Sequence, residues 1–202
     1  LANAQALPTA PLTVAPAKIL GHEVLVFRES ASGEEGYRLV PGPGEDDTLF
    51  AALLEHAAEF GAGDIGPSSV ETLRIEAGHP RPGVEITPQR VINETPLEQS
   101  AVAYDKGCYL GQEIVERVRS RGHVNRTLMG FRLPAGTAPA PKTPVTAAGK
   151  ETGEVTSATA TPGGVFGLAY VRVPHNKPGA VVDIEGQAAE LFAPYPLSQP
   201  GA

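Results

Sequence analysis

Patterns of apolar and polar positions divide the first part of the chain into short strands and helices. Residues 23–28 and 37–40 are rich in branched and aromatic side chains and are separated by a segment of Ser, Gly and Glu. Such a pair of runs predicts a β-hairpin. Asp46 and Asp47 then open a stretch whose apolar residues recur at helical spacing. The predicted helix face consists of Leu49, Phe50, Leu53, Leu54, Ala57 and Ala58.

Two further helices are predicted before residue 125. Ser68 and Glu71 have the spacing of a capping box, in which each side chain bonds the backbone N–H of the other residue. The Pro-rich stretch 79–93 predicts an ordered loop. A third helix is predicted over residues 111–120. Its inward face would carry Ile114, Val115 and Val118.

After residue 125 the pattern changes to short strand-like runs separated by Gly and Pro turns. These runs cover residues 128–133, 152–159, 165–173 and 180–184. A series of strands that follows a mixture of helices and strands indicates two portions of different fold class. We therefore predict an extended N-terminal segment over 1–17, an α+β portion over 18–125, and a small antiparallel β-barrel over 126–197.

Composition and charge narrow the function classes. The chain has 202 residues and a formal net charge of −7, which argues against a general nucleic-acid binder, because phosphate neutralisation needs clustered Lys and Arg. No apolar run approaches the roughly 20 residues of a membrane-spanning helix, and the first residues lack a signal-peptide pattern, so we expect a cytoplasmic protein. The five histidines lack the spacing of a zinc site, so no metal site is expected.

The single cysteine, Cys108, is the first candidate for chemistry. A free thiol has a pKa of about 8.5 and becomes a good nucleophile only when it is ionised. Lys106 and the start of the predicted helix near Gly111 would both favour the thiolate. The alternative is a buried and inert Cys108 beside a solvated Lys106.

Charged side chains near the predicted helix ends are the second candidates. Residue chemistry alone leaves Arg74 and Glu76 as ordinary solvated helix residues. Arg117 begins a cluster of four arginines that ends at Arg126. Such a cluster attracts anionic ligands. Pairing with the neighbouring glutamates would instead make it an ordinary solvated helix face.

The segment from Lys106 to Glu113, Lys-Gly-Cys-Tyr-Leu-Gly-Gln-Glu, resembles the KGCYxGQE signature of YgfZ-type proteins, a branch of the T-protein-like, folate-binding superfamily. Residues 32–37, 73–78 and 153–157 resemble other superfamily segments in the same order. The resemblance implies an α+β fold of the T-protein type, with a ferredoxin-like or Greek-key α+β portion followed by a small C-terminal antiparallel β-barrel.

The resemblance also implies a function. It indicates a tetrahydrofolate-binding accessory protein for assembly or repair of iron–sulfur clusters, with an indirect effect on tRNA modification. The cofactor would be tetrahydrofolate or a folate derivative, and the partners would be iron–sulfur enzymes or assembly proteins, without membrane association or strong nucleic-acid binding. Cys108 would be the functional thiol, assisted by Lys106. Folate contacts would come from Glu76, Arg74, Tyr109, Gln112 and Arg117.

Two alternatives stay open. One is an aminomethyltransferase of the glycine cleavage system, a folate-dependent one-carbon transferase that needs an aspartate from the first third of a T-protein. The other is a folate-binding module without catalysis. The resemblance runs from about residue 18 to 192, and it implies a preceding region of about a hundred residues, the size of a small domain, that completes the first domain and the folate cavity.

Overall fold

A computed structural model describes residues 7–30, 32–122 and 124–194, except for the side chain of Arg121. Within these ranges the chain forms nine β-strands and four α-helices. It divides into two compact units that meet in the sequence between Val70 and Glu71. Residues 1–6 and 195–197 of the predicted terminal segments lie outside this description. None of the described helices has both the length and the hydropathy needed to cross a membrane.

The first unit is a three-stranded antiparallel sheet with one helix. Its elements are β1 (Val14–Ile19), β2 (His22–Phe27), β3 (Arg38–Pro41) and α1 (Asp46–Ala58), and the strand order is β1-β2-β3. The predicted hairpin is confirmed as β2–β3. β1 was not predicted as a strand. It joins β2 through Leu20 and Gly21, whose φ values of 50° and 94° suit a two-residue hairpin turn.

The core of this unit comes from alternate strand residues and one helix residue. Val24 and Val26 of β2 are buried together with Leu49 of α1, because period-2 alternation directs one strand face toward the helix. The predicted helix is confirmed, but Phe50 was wrongly placed on its buried face and is 50% exposed.

The helix α2 (Pro67–Glu76) begins one residue before the predicted cap. The Gly66 carbonyl accepts from the backbone N–H groups of Ser69 and Val70, so Ser68 lies inside the first turn and the capping-box prediction was wrong. Pro67 suits the first helical position because its φ is already helical and its missing N–H costs nothing there.

A loop with little regular structure links α2 to the last helices. It contains a 3₁₀ turn, Ile92–Glu94, and the short helix α3 (Glu98–Ala101), and it leads to α4 (Gln112–Arg121). Gly122 ends α4 with a φ of 72°, as predicted. Ile114 is 58% exposed, so its predicted inward orientation was wrong.

The last six strands close into an antiparallel barrel with the order β4-β7-β6-β5-β8-β9. Their bounds are β4 (Arg126–Leu133), β5 (Pro144–Ala147), β6 (Lys150–Thr161), β7 (Gly164–Arg172), β8 (Val181–Ile184) and β9 (Gln187–Phe192). The four predicted runs are confirmed as β4, β6, β7 and β8, whereas β5 and β9 were missed. Alternate residues of β4, including Met129, Phe131 and Leu133, fill the barrel core. The barrel strands begin at Arg126, but their compact unit begins at Glu71.

Gly167 on β7 lies opposite Phe131 on β4, whose ring is fully buried. A Cβ atom at Gly167 would overlap that ring and would lie 2.7 Å from the Ser157 carbonyl oxygen. Backbone atoms held in a sheet cannot move away cheaply. The barrel therefore requires glycine at this position.

We expect Gly167→Ala to lower the free energy of unfolding by about 1–3 kcal/mol through overpacking, measured by urea denaturation. Gly163→Ala is the matched control, because the nearest atom to a Cβ there is 3.7 Å away. Equal stabilities for the two variants would contradict the packing argument.

Candidate functional site

Arg74 is buried in the second unit, and all five of its N–H donors have acceptors. Nε and one Nη2 hydrogen donate to the carboxylate oxygens of Glu71, at 2.9 and 2.5 Å. The remaining donors reach Glu85 Oε2 at 3.1 Å, the His79 carbonyl at 2.8 Å and Ser157 Oγ at 2.9 Å. Because a guanidinium has five donors and no acceptor, Arg74 has none left for a ligand. The bonds of Arg74 stabilise the fold, and its predicted folate contact, which would require it to give up one of them, stays a prediction.

Glu85, which sequence reasoning missed, is the fully buried partner of Arg74. Its Oε1 accepts the Ser157 hydroxyl at 2.5 Å, and its Oε2 also accepts the backbone N–H of Arg81 at 2.9 Å. Its backbone carbonyl accepts the Tyr170 hydroxyl at 3.1 Å. A lone carboxylate between two branched apolar residues was the signal available in the sequence. Burial of such a group requires this full set of partners.

Mutual pairing sets the charge states in this cluster. Burial opposes the charge of Arg74, but its hydrogen bond to Glu71 and the charges of Glu85 and Glu71 outweigh burial and raise the pKa of Arg74. The hydrogen bond from Arg74 lowers the pKa of Glu71. Burial, reinforced by the charge of Arg74, lowers the pKa of His79. At neutral pH the cluster therefore contains an ionised Glu71 and a neutral His79.

We expect Arg74→Met to lower the free energy of unfolding by about 3–5 kcal/mol, because it leaves the buried Glu85 carboxylate without its charged partner. Arg81→Met is the matched control. Arg81 also pairs with Glu71, but its side chain is 52% exposed, and loss of such a pair should cost under about 1 kcal/mol. Urea denaturation measures both, and equal losses would argue against a buried ion-pair role for Arg74.

Glu76, the last residue of α2, is partly buried. Within the described part of the chain its carboxylate has no hydrogen-bond or ion-pair partner. Arg74 does not neutralise it, because the guanidinium is held by Glu71 and Glu85. A partly buried carboxylate without a partner is an acceptor for a ligand that carries N–H donors. Glu76 therefore has the free acceptor oxygens that its predicted folate contact requires.

Cys108 lies on an exposed loop ahead of α4. The Lys106 ammonium lies over the ring of Tyr109, 4.9 Å from the ring centroid, where a cation–π contact holds it. The helix begins only at Gln112, after Gly111 in a left-handed conformation. Cys108 is therefore not the buried, inert residue of the alternative interpretation. The cation that was expected to favour its thiolate contacts Tyr109.

Tyr109 and Gln112, which were predicted to contact folate, bond to each other at the end of the loop that carries Cys108. The backbone N–H of Tyr109 donates to Gln112 Oε1 at 3.3 Å. The Tyr109 hydroxyl is buried and has no hydrogen-bond partner among the described residues. That hydroxyl and the Gln112 side-chain nitrogen have hydrogen-bonding capacity left.

The predicted arginine cluster is paired where the structure describes it. Arg117 donates to Glu113 at 2.7 Å, and both side chains are more than half exposed. Arg126 Nε donates to Glu94 Oε1 at 3.1 Å. Because an exposed ion pair such as Arg117–Glu113 contributes little stability, a ligand could displace Glu113 from Arg117 at small cost.

A cavity of about 490 Å³ lies beside α2 and β6. Its walls are partly apolar, with Ile75 and Val84 among the lining residues. They also carry charged side chains, including Arg81, Arg90, Lys142 and Glu154. Arg90 pairs with Glu154. Neither Glu76 nor Cys108 lines this cavity. The cavity therefore does not bring the predicted site residues together.

Residues 3–106 match the family model described as the GCVT N-terminal domain, and residues 126–193 match the glycine cleavage T-protein C-terminal barrel domain. The chain belongs to the glycine cleavage T-protein family. Membership confirms the expected superfamily and the fold of an α+β portion followed by an antiparallel barrel.

Relatives in this T-protein family include an aminomethyltransferase of Streptomyces avermitilis, 31% identical over 178 residues, which cover 85% of this chain and 48% of the relative. An aminomethyltransferase of Frankia alni is 34% identical over 168 residues, 80% of this chain and 45% of the relative. A putative chloroplastic transferase of Arabidopsis thaliana is 31% identical over 181 residues, 87% of this chain and 40% of the relative.

The glycine cleavage system aminomethyltransferase T of Bartonella henselae has the same fold, with a TM-score of 0.73 at 20% identity over 88% of this chain and 50% of that structure. The T-protein relatives are thus about twice as long as the matched chain. Their names support the aminomethyltransferase alternative better than the iron–sulfur interpretation.

Proposed function

We propose that this chain is the tetrahydrofolate-binding part of a T-protein-type protein, with Glu76 as the ligand of the pterin ring. The observation that carries the proposal is the partly buried Glu76 carboxylate, which has no partner among the described residues. The folate-binding portion would cover residues 18–125, and the barrel would cover 126–197. Tyr109, Gln112 and Arg117 would contribute further contacts.

The chemistry of a pterin suits a free carboxylate. A pterin presents a ring N–H and an exocyclic amino group side by side, and the two oxygens of one carboxylate can accept both. Glu76 can accept from both groups without breaking an ion pair. The helix α2 that carries it is held in place by the bonds of Arg74 to Glu85 and Ser157. Such preorganisation lowers the entropic cost of binding.

The activity we propose for the whole protein is transfer of an aminomethyl group to tetrahydrofolate, which would yield methylenetetrahydrofolate, ammonia and the free thiol of the carrier. Family membership and the names of the relatives support this choice. The whole protein should release ammonia from an aminomethyl-lipoyl carrier in the presence of tetrahydrofolate. Absence of ammonia release by a protein that binds tetrahydrofolate would exclude this activity.

In the whole protein, we expect Glu76→Gln to weaken tetrahydrofolate binding by about tenfold or more, because a charge-assisted hydrogen-bond pair is worth roughly 1.5–3 kcal/mol. Isothermal titration measures the affinity. The matched control is Glu55→Gln, an exposed carboxylate on α1, which should bind like the wild type. Unchanged affinity in Glu76→Gln would remove Glu76 from the folate site.

A second function, in assembly or repair of iron–sulfur clusters, is favoured by the exposed thiol of Cys108 in the Lys-Gly-Cys-Tyr-Leu-Gly-Gln-Glu segment. An exposed thiolate can act as a nucleophile or a metal ligand toward another protein. Iron–sulfur clusters ordinarily take four protein ligands, so a partner protein, a second copy or a small thiol would supply the others. This proposal places the protein in the YgfZ-type branch.

For this second function, we expect Cys108→Ala to fail to restore iron–sulfur enzyme activity in a strain that lacks the protein, while its tetrahydrofolate affinity stays at the wild-type value. The matched control is Leu110→Ala, which removes a fully exposed side chain from the same loop and keeps the thiol. Full restoration of enzyme activity by Cys108→Ala would rule out a role for the thiol.

A further inference from the structure

The cavity of about 490 Å³ beside α2 and β6 is not used by either proposed function. All of its lining residues belong to the second compact unit, and neither Glu76 nor Cys108 is among them. Its volume is in the range of small-molecule sites. Val84 is partly exposed and Pro141 is exposed at its walls, so an apolar ligand surface can reach both.

Positive charge exceeds negative charge among the side chains that line this cavity. Three of them are cations, Arg81, Arg90 and Lys142, and two are carboxylates, Glu71 and Glu154. The surplus is local, because the chain as a whole has a net charge of −7. A concave site with an excess of one sign concentrates ligands of the opposite sign. The cavity therefore favours an anion.

Arg90 and Glu154 neutralise each other in the cavity wall. They form an ion pair, and the side chain of Arg90 is only 13% exposed. The Arg90 guanidinium also lies over the ring of Tyr170, 4.1 Å from the ring centroid, where a cation–π contact holds it. Arg90 is thus fixed, and the cations that remain for a ligand are Arg81 and Lys142.

Arg81 is a surplus cation for its partner Glu71. Both Glu71 oxygens already accept from Arg74, at 2.9 and 2.5 Å, and Arg81 Nη1 donates to one of them at 2.9 Å. Nε and Nη2 of Arg81 have no acceptor among the described residues. The side chain of Arg81 is 52% exposed, so this ion pair is weak. An anion can therefore bind Arg81 without leaving Glu71 unpaired.

Lys142 supplies the second available cation. Its side chain is exposed, and its ammonium has no hydrogen-bond or ion-pair partner in the part of the chain that the structure describes. Its backbone N–H donates to the Val155 carbonyl at 2.7 Å, which fixes the backbone of Lys142 at β6. Its φ of 71° lies in the left-handed region, where glycine is favoured over residues with a Cβ. A lysine at such a position indicates a use for its side chain.

We propose that this cavity binds a small organic anion, a carboxylate on an apolar body such as a hydrocarbon ring. The carboxylate accepts from Arg81 and Lys142, and the apolar body contacts Val84 and Pro141. One carboxylate matches the single surplus positive charge, and the planar fork of an arginine suits its two oxygens. The two carboxylates in the wall disfavour a ligand with more negative charge. This inference does not depend on the proposed folate function.

Benzoate tests the charge requirement against benzamide, which has nearly the same size and shape without a charge. In the whole protein, we expect saturable benzoate binding that weakens as salt is added. Amide NMR shifts should be confined to residues around 81–87, 141–143 and 154–158. Benzamide should show no saturable binding over the same concentration range.

Lys142→Met and Arg81→Met should each weaken benzoate by about tenfold or more, because each removes a charge-assisted hydrogen bond. The matched control is Lys150→Met, which removes the same charge from an exposed position on β6 that does not line the cavity. Its affinity for benzoate should equal that of the wild type.

Equal affinity for benzoate and benzamide, or no saturable binding of benzoate, would overturn the proposal. Wild-type affinity in either Lys142→Met or Arg81→Met would do the same, as would an equal loss in Lys150→Met, because the effect would then be one of net charge alone. Displacement of benzoate by tetrahydrofolate would assign the cavity to folate and overturn its assignment to a separate ligand.

Discussion

The buried ion pair between Arg74 and Glu85 is the interaction on which the second unit depends. Glu85 is fully buried and Arg74 is 5% exposed, so each loses its hydration and depends on the other for compensation. Their remaining donors and acceptors are taken by Glu71 of α2, by Ser157 of the barrel and by backbone groups of the loop. Since a partly satisfied polar cluster would be unstable, these partners fix α2, the loop and β6 relative to one another.

This cluster explains how a long segment without regular structure can be ordered. The Tyr170 hydroxyl of β7 donates to the Glu85 carbonyl, and the ring of Tyr170 lies 4.1 Å from the guanidinium carbon of Arg90. Burial raises the pKa of Tyr170 to about 12, so the hydroxyl keeps its proton and remains a donor. The loop is thus attached to the barrel through side chains, and Glu76 lies next to this fixed region.

The sequence pattern predicted the longer barrel strands, whose residues alternate between apolar and polar, and missed two of the shorter ones. β4, β6 and β7 have long apolar alternation, whereas β5 has four residues and an irregular register, and β9 begins with Gln and two alanines, so neither gave a clear signal. The role of Arg74 was not predictable, because its partners Glu85 and Ser157 lie 11 and 83 residues away in the sequence. The same distant partners keep Arg74 from pairing with Glu76, so the free carboxylate of Glu76 was not predictable either.

The exposure of Cys108 separates the two proposed functions physically. Group transfer to folate is favoured where water is excluded from the reacting atoms, and a thiol on an exposed loop does not meet that condition by itself. An exposed thiol is instead accessible to a second protein. In either proposed function Glu76 would be the folate ligand. The thiol is therefore the feature of this chain that distinguishes a partner-directed role from aminomethyl transfer.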